Sequence, residues 1–460
     1  MSSEWPMQDL GSLISYRKGF AFKSKDYISS GVPIVRVSNF TDDSISPNDL
    51  KFVSPDVAKE TPEVSLEVND IVVATVGSWP NNPASVVGRT IRVPAWAESA
   101  LMNQNSVIIR AKSKSLTDQK FIYYQMRSQD FSAHVVSKAQ GSANQASITL
   151  DAIFSYRLFW PKVEHRDVIV TFLSHLDDRI TLLRETNTTL EAIAQGLFKS
   201  WFVDFDPVYA RARGEQPPGL APEVAALFPD SFEESELGMI PKGWKLMPFG
   251  ELLNHTIGGD WGDETPNDKN DTKVAIIRGT DMPDLQSGMI GRVPVRYTSQ
   301  KKLATRKLQD GDLVLEVSGG SKDQPTGRSL YMTTGLLEQF DCPVEPASFC
   351  RLLRPISHEY GVLLSQHMTY IYADGKTWQY QNQSTGIANF QTTHFLETEV
   401  VAVPTDDVLK LFAETIRSMI DRSHLSQIAQ LAALRDTLLP RLISGQLRLP
   451  EVKDTLEEII

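Results

Sequence analysis

One pattern constrains this 460-residue chain more than any other. The sequence states itself twice, with the copies about 240 residues apart, a spacing that means a duplicated domain rather than a short structural repeat. Trp5 and Gly11 return as Trp244 and Gly250, and Val32-Pro-Ile-Val-Arg36 returns as Val274-Ala-Ile-Ile-Arg278. Leu66-Glu-Val-Asn-Asp70 is matched by Leu308-Gln-Asp-Gly-Asp312, with Gly77 and Gly319 following at the same distance. Gly88-Arg89-Thr90 is answered by Gly327-Arg328-Ser329. Each copy leads into one long helical pattern, so the order is domain, helix, domain, helix. A chain of that form builds a pseudo-two-fold body, which suits a target that also comes in two related halves.

Each copy reads as mixed α/β. Val32 to Val37, Asp70 to Val76 and Val107 to Arg110 are short β-branched runs bounded by turn residues, as are Val274 to Ile277 and Leu313 to Val317. Gln119 to Ser128 and Gly361 to Tyr372 carry helical apolar spacing. From Arg166 onward the period changes to alternating steps of four and three, through Leu176, Ile180, Leu183, Asn187, Leu190, Leu197 and Trp201. That alternation predicts a coiled-coil seam, with Asn187 as the polar position that fixes register. The second helix, about Asp407 to Ile443, repeats the seam through Ile416, Ile420, Ile428, Leu431, Leu438 and Leu442, less regularly around Ser423 and His424. A helix of roughly 36 residues is about 54 Å long and exposes its apolar stripe unless a partner covers it. Its duplicate is the nearest partner, and a two-fold axis makes the pair antiparallel. The expected fold class is therefore α+β, with two tandem mixed domains separated by two long helices in an antiparallel coiled coil. The boundaries read 1–162 for the first domain, 163–205 for the central helix and 206–242 for a Pro- and acid-rich linker. The second domain reads 243–403, the C-terminal helix 404–446 and an acidic tail 447–460.

Composition excludes several classes. Two cysteines, Cys342 and Cys350, are too few for a disulfide framework and lack zinc-site spacing, which favours a reduced cytoplasmic setting. Neither a signal segment nor a long apolar run is present, so no membrane partner is expected. The net charge of −11 argues mildly against a protein that coats nucleic acid, yet duplex binding depends on where basic residues cluster. Arg292, Arg296, Lys301, Lys302, Arg306 and Lys307 fall in one stretch with no acid before Asp310. Arg17, Lys18, Lys23 and Lys25 form another cluster, and Arg110, Lys112, Lys114 and Lys120 a third.

The segment Leu197-Phe-Lys-Ser-Trp201-Phe202-Val-Asp204-Phe205-Asp206-Pro207, the run Leu237-Gly-Met-Ile-Pro-Lys-Gly-Trp244 and the helix end Asp436-Thr-Leu-Leu-Pro-Arg-Leu-Ile-Ser-Gly445 together carry a family resemblance. With the duplication, they resemble the specificity subunit of type I restriction-modification systems (the HsdS family), from Trp5 to about Leu449. The resemblance implies that each repeat is a target-recognition domain reading one half of a split site in double-stranded DNA. It implies that the helices space the domains and dock two methylation subunits, with motor-nuclease restriction subunits joining for cleavage. The complex, not this chain, would then be the adenine methyltransferase and endonuclease, and the methylation subunit would use S-adenosylmethionine. This chain is expected to bind no cofactor and no metal. Half-sites roughly one helical turn, about 34–36 Å, apart suit two separated reading domains.

Candidate DNA contacts are polar residues in loops after the matched strands. In the first copy these are Arg36, Ser38, Asn39, Ser78, Asn81, Asn82, Ser142, Asn144 and Gln145. In the second they are Arg278, Thr280, Ser321, Lys322, Gln324, Asn382, Gln383 and Asn389. Amide and guanidinium groups suit base edges, while hydroxyls, Lys and backbone N–H groups suit phosphates. The competing reading is that turn residues are polar because turns are exposed, and that Arg36 and Arg278 are structural partners of Asp70 and Asp312. Residues shared by both copies belong to scaffold; readout belongs to unshared positions. Trp201 and Phe202 are read two ways, as packing at the helix end or as a face for the methylation subunit.

No chemistry of its own is visible. The chain lacks a GxGxxG turn and a GxxxxGK[ST] loop. Asn82-Pro83 is followed by Ala-Ser rather than the Pro-aromatic pair that grips a flipped adenine. The eight histidines form no HExxH or His/Cys set. A self-contained modification enzyme is disfavoured on these grounds. The remaining alternative is a coiled-coil adaptor with two loop-rich domains that binds no DNA and shows no salt dependence.

Overall fold

The computed structural model describes residues 5–79, 87–142, 145–235, 238–319, 324–384 and 387–447. The chain divides into two compact units: residues 1–178 with 433–460, and residues 179–432. Both boundaries fall inside long helices, so each unit contains one repeat and a share of both helical segments.

The first unit is built on a four-stranded antiparallel sheet in the order Ile14–Lys18, Ser106–Ala111, Ile71–Ala74, Thr90–Arg92. Ile71–Ala74 is buried on every residue, as a central strand covered on both faces must be. The helix Leu116–Met126 opens on Ser115, whose hydroxyl accepts the Asp118 N–H, and supplies Phe121, Ile122 and Tyr124 to the interior. A second sheet places Val32–Val35 between Lys51–Val53, antiparallel, and Leu101–Met102, parallel.

The second unit repeats this plan strand for strand. Its four-stranded sheet runs Leu253–Gly258, Cys350–Pro355, Leu313–Glu316, Ser329–Tyr331. Its smaller sheet holds Thr272–Ile277 between Val295–Thr298, antiparallel, and Val344–Pro346, parallel. The helix His358–Ala373 stands where Leu116–Met126 stands in the first unit.

One ion pair is built twice. Asp70 accepts Arg110 Nε and Nη2 at 2.6 and 2.7 Å, and Arg110 Nη2 also donates to the Ser65 carbonyl. Asp312 accepts Arg354 Nε and Nη2 at 2.8 and 2.7 Å, and Arg354 Nη2 donates to the Lys307 carbonyl. In each case the carboxylate also accepts a backbone N–H three residues earlier, from Glu67 and Gln309. These are the partners of the matched aspartates. Arg36 and Arg278, proposed from sequence for that role, pair elsewhere.

The long helix Val163–Phe198 is 36 residues and continues into a π-helical turn, Lys199–Val203. Within the second unit Phe198 meets Phe412, Asn187 meets Ser423, and Ile180 and Leu183 pack with Ile428. Within the first, Asp177 pairs with Arg435 at 2.9 Å. Numbers rise along one helix as they fall along its partner, so the pairing in the second unit is antiparallel. The seam departs from strict heptads toward both ends. Phe198 and Leu439 are buried where Leu197 and Leu438 are expected, and Leu190 is half-buried. An α-helix drifts about 20° per heptad against a 3.5-residue repeat, which shifts the buried position by one residue over this length.

The C-terminal helix is not one rod. Asp406–Ser423 ends at His424, and Gln427–Ile443 begins after a short break. Three side chains hold that break. Asn187 Nδ2 donates to the Ser423 carbonyl at 3.2 Å, Gln339 Nε2 donates to the His424 carbonyl at 2.9 Å, and Thr333 Oγ1 meets His424 Nδ1 at 2.9 Å. The polar seam residue Asn187 thus satisfies a helix-end carbonyl.

Trp201 and Phe202 are 4% and 5% exposed. Phe412 lies 5.7 and 4.6 Å from their rings, Phe228 lies 4.9 Å from Trp201 and Trp244 lies 5.5 Å from Phe202. Both side chains are packed within that aromatic core. The segment read as a linker is also folded. It carries the helix Asp206–Ala212 and the hairpin Phe232–Ser235 with Gly238–Pro241. The Phe232 ring lies 4.4 Å from that of Tyr209, tilted by 38°.

Candidate nucleic-acid interface

At the same end of each central sheet the chain builds a small three-stranded sheet with a polar hairpin. In the first unit Gln140–Ser142 pairs with Gln145–Ser147, which pairs with Val76–Gly77 directly beyond the central strand. Alternation turns Ala146 inward and leaves Gln140, Ser142, Gln145 and Ser147 exposed. Trp79 Nε1 donates to the Ser142 carbonyl at 2.8 Å, fixing the hairpin to the strand end. In the second unit Gln381–Ser384 pairs with Ile387–Phe390, which pairs with Ser318–Gly319. Here Ala388 and Phe390 are buried, while Asn382 and Asn389 face each other in register and are exposed.

The sequence candidates sort unevenly on this geometry. Ser142 and Gln145 lie on the first hairpin, and Asn382, Gln383 and Asn389 on the second. Ser38 and Thr280 are exposed at the middle of matched 3-10 turns, Val37–Asn39 and Gly279–Asp281. Those turns follow strands whose last carbonyls, Val35 and Ile277, accept the N–H of Asn103 and Ala347 at 2.9 and 2.8 Å. Gln324 is exposed. Ser78 is 6% exposed and belongs to the interior. Asn81, Asn82, Asn144, Ser321 and Lys322 lie outside the described residues.

Arg36, Asn39 and Arg278 are structural. Asn39 Oδ1 accepts the Arg36 N–H at 3.0 Å and its amide donates to the Asn48 carbonyl; the side chain is 2% exposed. Arg36 Nη2 donates to the Asp49 carbonyl at 2.8 Å and pairs with its carboxylate. Arg278 is clamped by Asp281 through Nε and Nη2 at 2.9 and 2.6 Å, and that hydrogen-bonded carboxylate raises its already high pKa. Each arginine closes its own turn, which is why both copies carry one.

Folding also divides the basic run of the second repeat. Arg296 pairs with Glu264 at 2.7 Å and lies over Trp261, and Lys302 pairs with Asp260 at 3.0 Å. Arg292, Lys301 and Lys307 stay exposed. In the first repeat Arg17, Lys18, Lys23 and Lys25 stay exposed, whereas Arg110 is committed to Asp70 and Lys120 is half-buried beside Ser174. The exposed lysines and arginines are the groups available to phosphates.

Among the described residues no group of His, Cys, Asp and Glu is arranged to hold a metal ion. None of the described helices is long and apolar enough to cross a membrane. Both cysteines are free thiols; burial pushes Cys350 up to about 12, far from thiolate chemistry.

The loops Asn103–Asn105 and Ala347–Phe349 complete this end of each unit, and the sequence reading passed over both. The available signal was a run of three side-chain amides, Asn103-Gln104-Asn105, set directly before a buried strand.

Residues 2–192 match the family model of the type I restriction modification DNA specificity domain. The specificity subunit of the Haemophilus influenzae type I restriction enzyme HindI is 25% identical over 350 residues, covering 65% of this chain and 71% of its own length. The Methanocaldococcus jannaschii type I restriction enzyme MjaIX specificity subunit is 22% identical over 339 residues, covering 72% and 70%. Among solved structures, the S subunit of the M. genitalium type I restriction-modification system shares the fold over 96% of both chains. Its TM-score is 0.50 at 15% identity.

Proposed function

We propose that the chain is a DNA specificity subunit of the type I restriction-modification kind, and that each repeat reads one half of a bipartite duplex site. The observation that carries this reading is the twice-built sheet: one frame, closed at its far end by Asp70–Arg110 and Asp312–Arg354, whose hairpin end presents different exposed side chains in each copy. The helical segments set the separation of the half-sites. They also dock two methylation subunits, which bind S-adenosylmethionine and modify adenine; restriction subunits add cleavage. This chain contributes recognition and assembly, without catalysis of its own, and works in the cytoplasm beside the DNA it reads.

The test pairs the chain with its methylation subunit and maps the modified site. Exchanging residues 1–160 for those of a relative should change one half of that site and leave the other intact. Change in both halves, or in neither, would overturn the two-reader assignment. Affinity should also fall steeply with salt, about one counterion per phosphate neutralised. An adaptor that binds protein or glycan would show no duplex affinity at all.

A further inference from the structure

The loops Asn103–Asn105 and Ala347–Phe349 share one backbone frame and carry unrelated side chains. The Asn105 carbonyl accepts the N–H groups of Thr75 and Val76 at 2.8 and 3.3 Å; the Phe349 carbonyl accepts those of Val317 and Ser318 at 2.9 and 3.2 Å. Each loop is thereby stitched to the short strand that carries the polar hairpin. At its other side, each loop is pressed by a matched glycine. A Cβ on Gly19 would lie 1.8 Å from the Asn103 carbonyl oxygen, and one on Gly259 would lie 2.1 and 2.2 Å from the carbonyl oxygens of Pro346 and Ala347. No side chain fits at either glycine, so the frame is held from both directions.

What the frame displays differs completely. In the first repeat it displays Gln104 and Asn105, both exposed and without a side-chain hydrogen bond among the described residues. In the second it displays Ser348 and Phe349, the latter 60% exposed. The Phe349 ring makes no ring contact with another aromatic side chain among the described residues. Two free amides on a loop pinned by backbone bonds are not needed for folding. Conserved geometry with divergent, outward side chains is what two readers of different base sequences require.

Resting on the reading that each repeat recognises one half-site, we propose that these two loops determine base specificity. Gln104 and Asn105 pair with the adenine edge in the major groove, where an amide both donates and accepts. Phe349 packs on a thymine methyl, the one apolar feature of that groove. The hairpins flank the loops and hold the register on the duplex.

The test uses the complete complex with its methylation subunit and a duplex library randomised over both half-sites. Gln104→Ala with Asn105→Gly removes both amides while keeping the left-handed backbone of Asn105, whose φ is 71°, so the loop keeps its shape. Discrimination at one or two positions of one half-site should fall roughly ten- to a hundredfold, with the other half unchanged. Phe349→Ala should do the reverse. Salt slopes should stay constant, because no phosphate contact is removed. Full discrimination retained by both variants, or equal loss at both halves, would overturn the assignment. If the unaltered complex selects no bipartite sequence, it is the two-reader function that fails instead.

Discussion

Glu399 is a buried charge bonded to Tyr380, next to the hairpin strand Gln381–Ser384, and replacing it with glutamine tests how far the hairpin depends on it. Its carboxylate is fully buried. Oε1 accepts His367 Nε2 at 2.7 Å and Lys376 Nζ at 2.8 Å, and Oε2 accepts the Tyr380 hydroxyl at 2.6 Å. Burial pushes the carboxyl up; the hydrogen bond and charge of His367, with the donors Lys376 and Tyr380, outweigh it and hold the group at about 2. Against an ordinary value of 4.5, at about 1.36 kcal/mol per unit, the gap corresponds to about 3 kcal/mol. Lys376 is 41% exposed and screened by water, which trims the figure to about 2–3 kcal/mol. Because the folded pKa lies below the unfolded one, this stability is fully present above about pH 4.5 and is lost as pH falls toward 2. For a unit of this size the glutamine variant should melt roughly 5–10 °C lower at neutral pH. Tyr380 leads directly into the hairpin strand Gln381–Ser384, so amide exchange in that strand should accelerate as well. Calorimetry on the complete chain, with hydrogen exchange read by peptide, measures both. A drop under about 2 °C, or equal loosening of the first unit's hairpin, would refute the argument.

Two further outcomes concern the break in the C-terminal helix. Burial, reinforced by the charge of Arg417, lowers His424 to about 4. The unfolded chain takes up a proton near 6.5 that the folded ring refuses, so the second unit should lose about 1.4 kcal/mol per pH unit between pH 6.5 and 4. His424→Gln should flatten that slope in urea titrations at pH 7.5 and 5.0, a window well above that of Glu399; a parallel slope in the variant would exclude His424 as its source. Asn187→Ala and Gln339→Ala each strip one amide from a helix-end carbonyl and should each cost about 1 kcal/mol. Thermal melts that are unchanged in both variants would mean that water replaces the amides without loss.

The duplication was legible because it repeats residues that the frame cannot spare: Trp5 and Trp244, Gly77 and Gly319, Asp70 and Asp312. Central strands and long helices were legible because burial imposes a period on them. The partners of Asp70 and Asp312 were not, since Arg110 and Arg354 lie 40 and 42 residues away, and only strand pairing brings them close. Asn187 stood out as a polar seam residue, but its partner is a carbonyl exposed by a helix break that the heptad pattern runs straight through. At the hairpin end, polarity alone could not separate Asn39, which is buried and closes a turn, from Ser38 beside it, which faces solvent. Turn residues of either kind carry the same composition, and burial is decided by the sheet beneath them.

The two copies show how side chains at the hairpin end of the sheet can change without unfolding the domain. At the last position of the central strand the first repeat has Ala74 and the second Glu316, paired in register with Ser106 and Cys350. Glu316 is 2% exposed, and Arg328 neutralises it through Nε and Nη2 at 2.9 and 2.7 Å. It needs room, and Gly279 provides it: a Cβ there would lie 2.2 Å from Glu316 Oε1. In the first repeat Val37 occupies that turn position over Ala74, and Arg89, the counterpart of Arg328, reaches the Phe40 carbonyl instead. Two residues therefore differ at the hairpin end and an arginine present in both copies changes partner, while Asp70–Arg110 and Asp312–Arg354, further along the same sheet, keep the same two-point pairing. Moving Glu316 into the first repeat alone, as Ala74→Glu, should bury an unmatched carboxylate beneath Val37 and cost several kcal/mol. The same change with Val37→Gly, beside the arginine already present at position 89, should recover most of it in thermal melts. If the double variant is no more stable than the single one, the coupled-repacking explanation is wrong, and the divergence of these loops needs a cause other than the sheet that supports them.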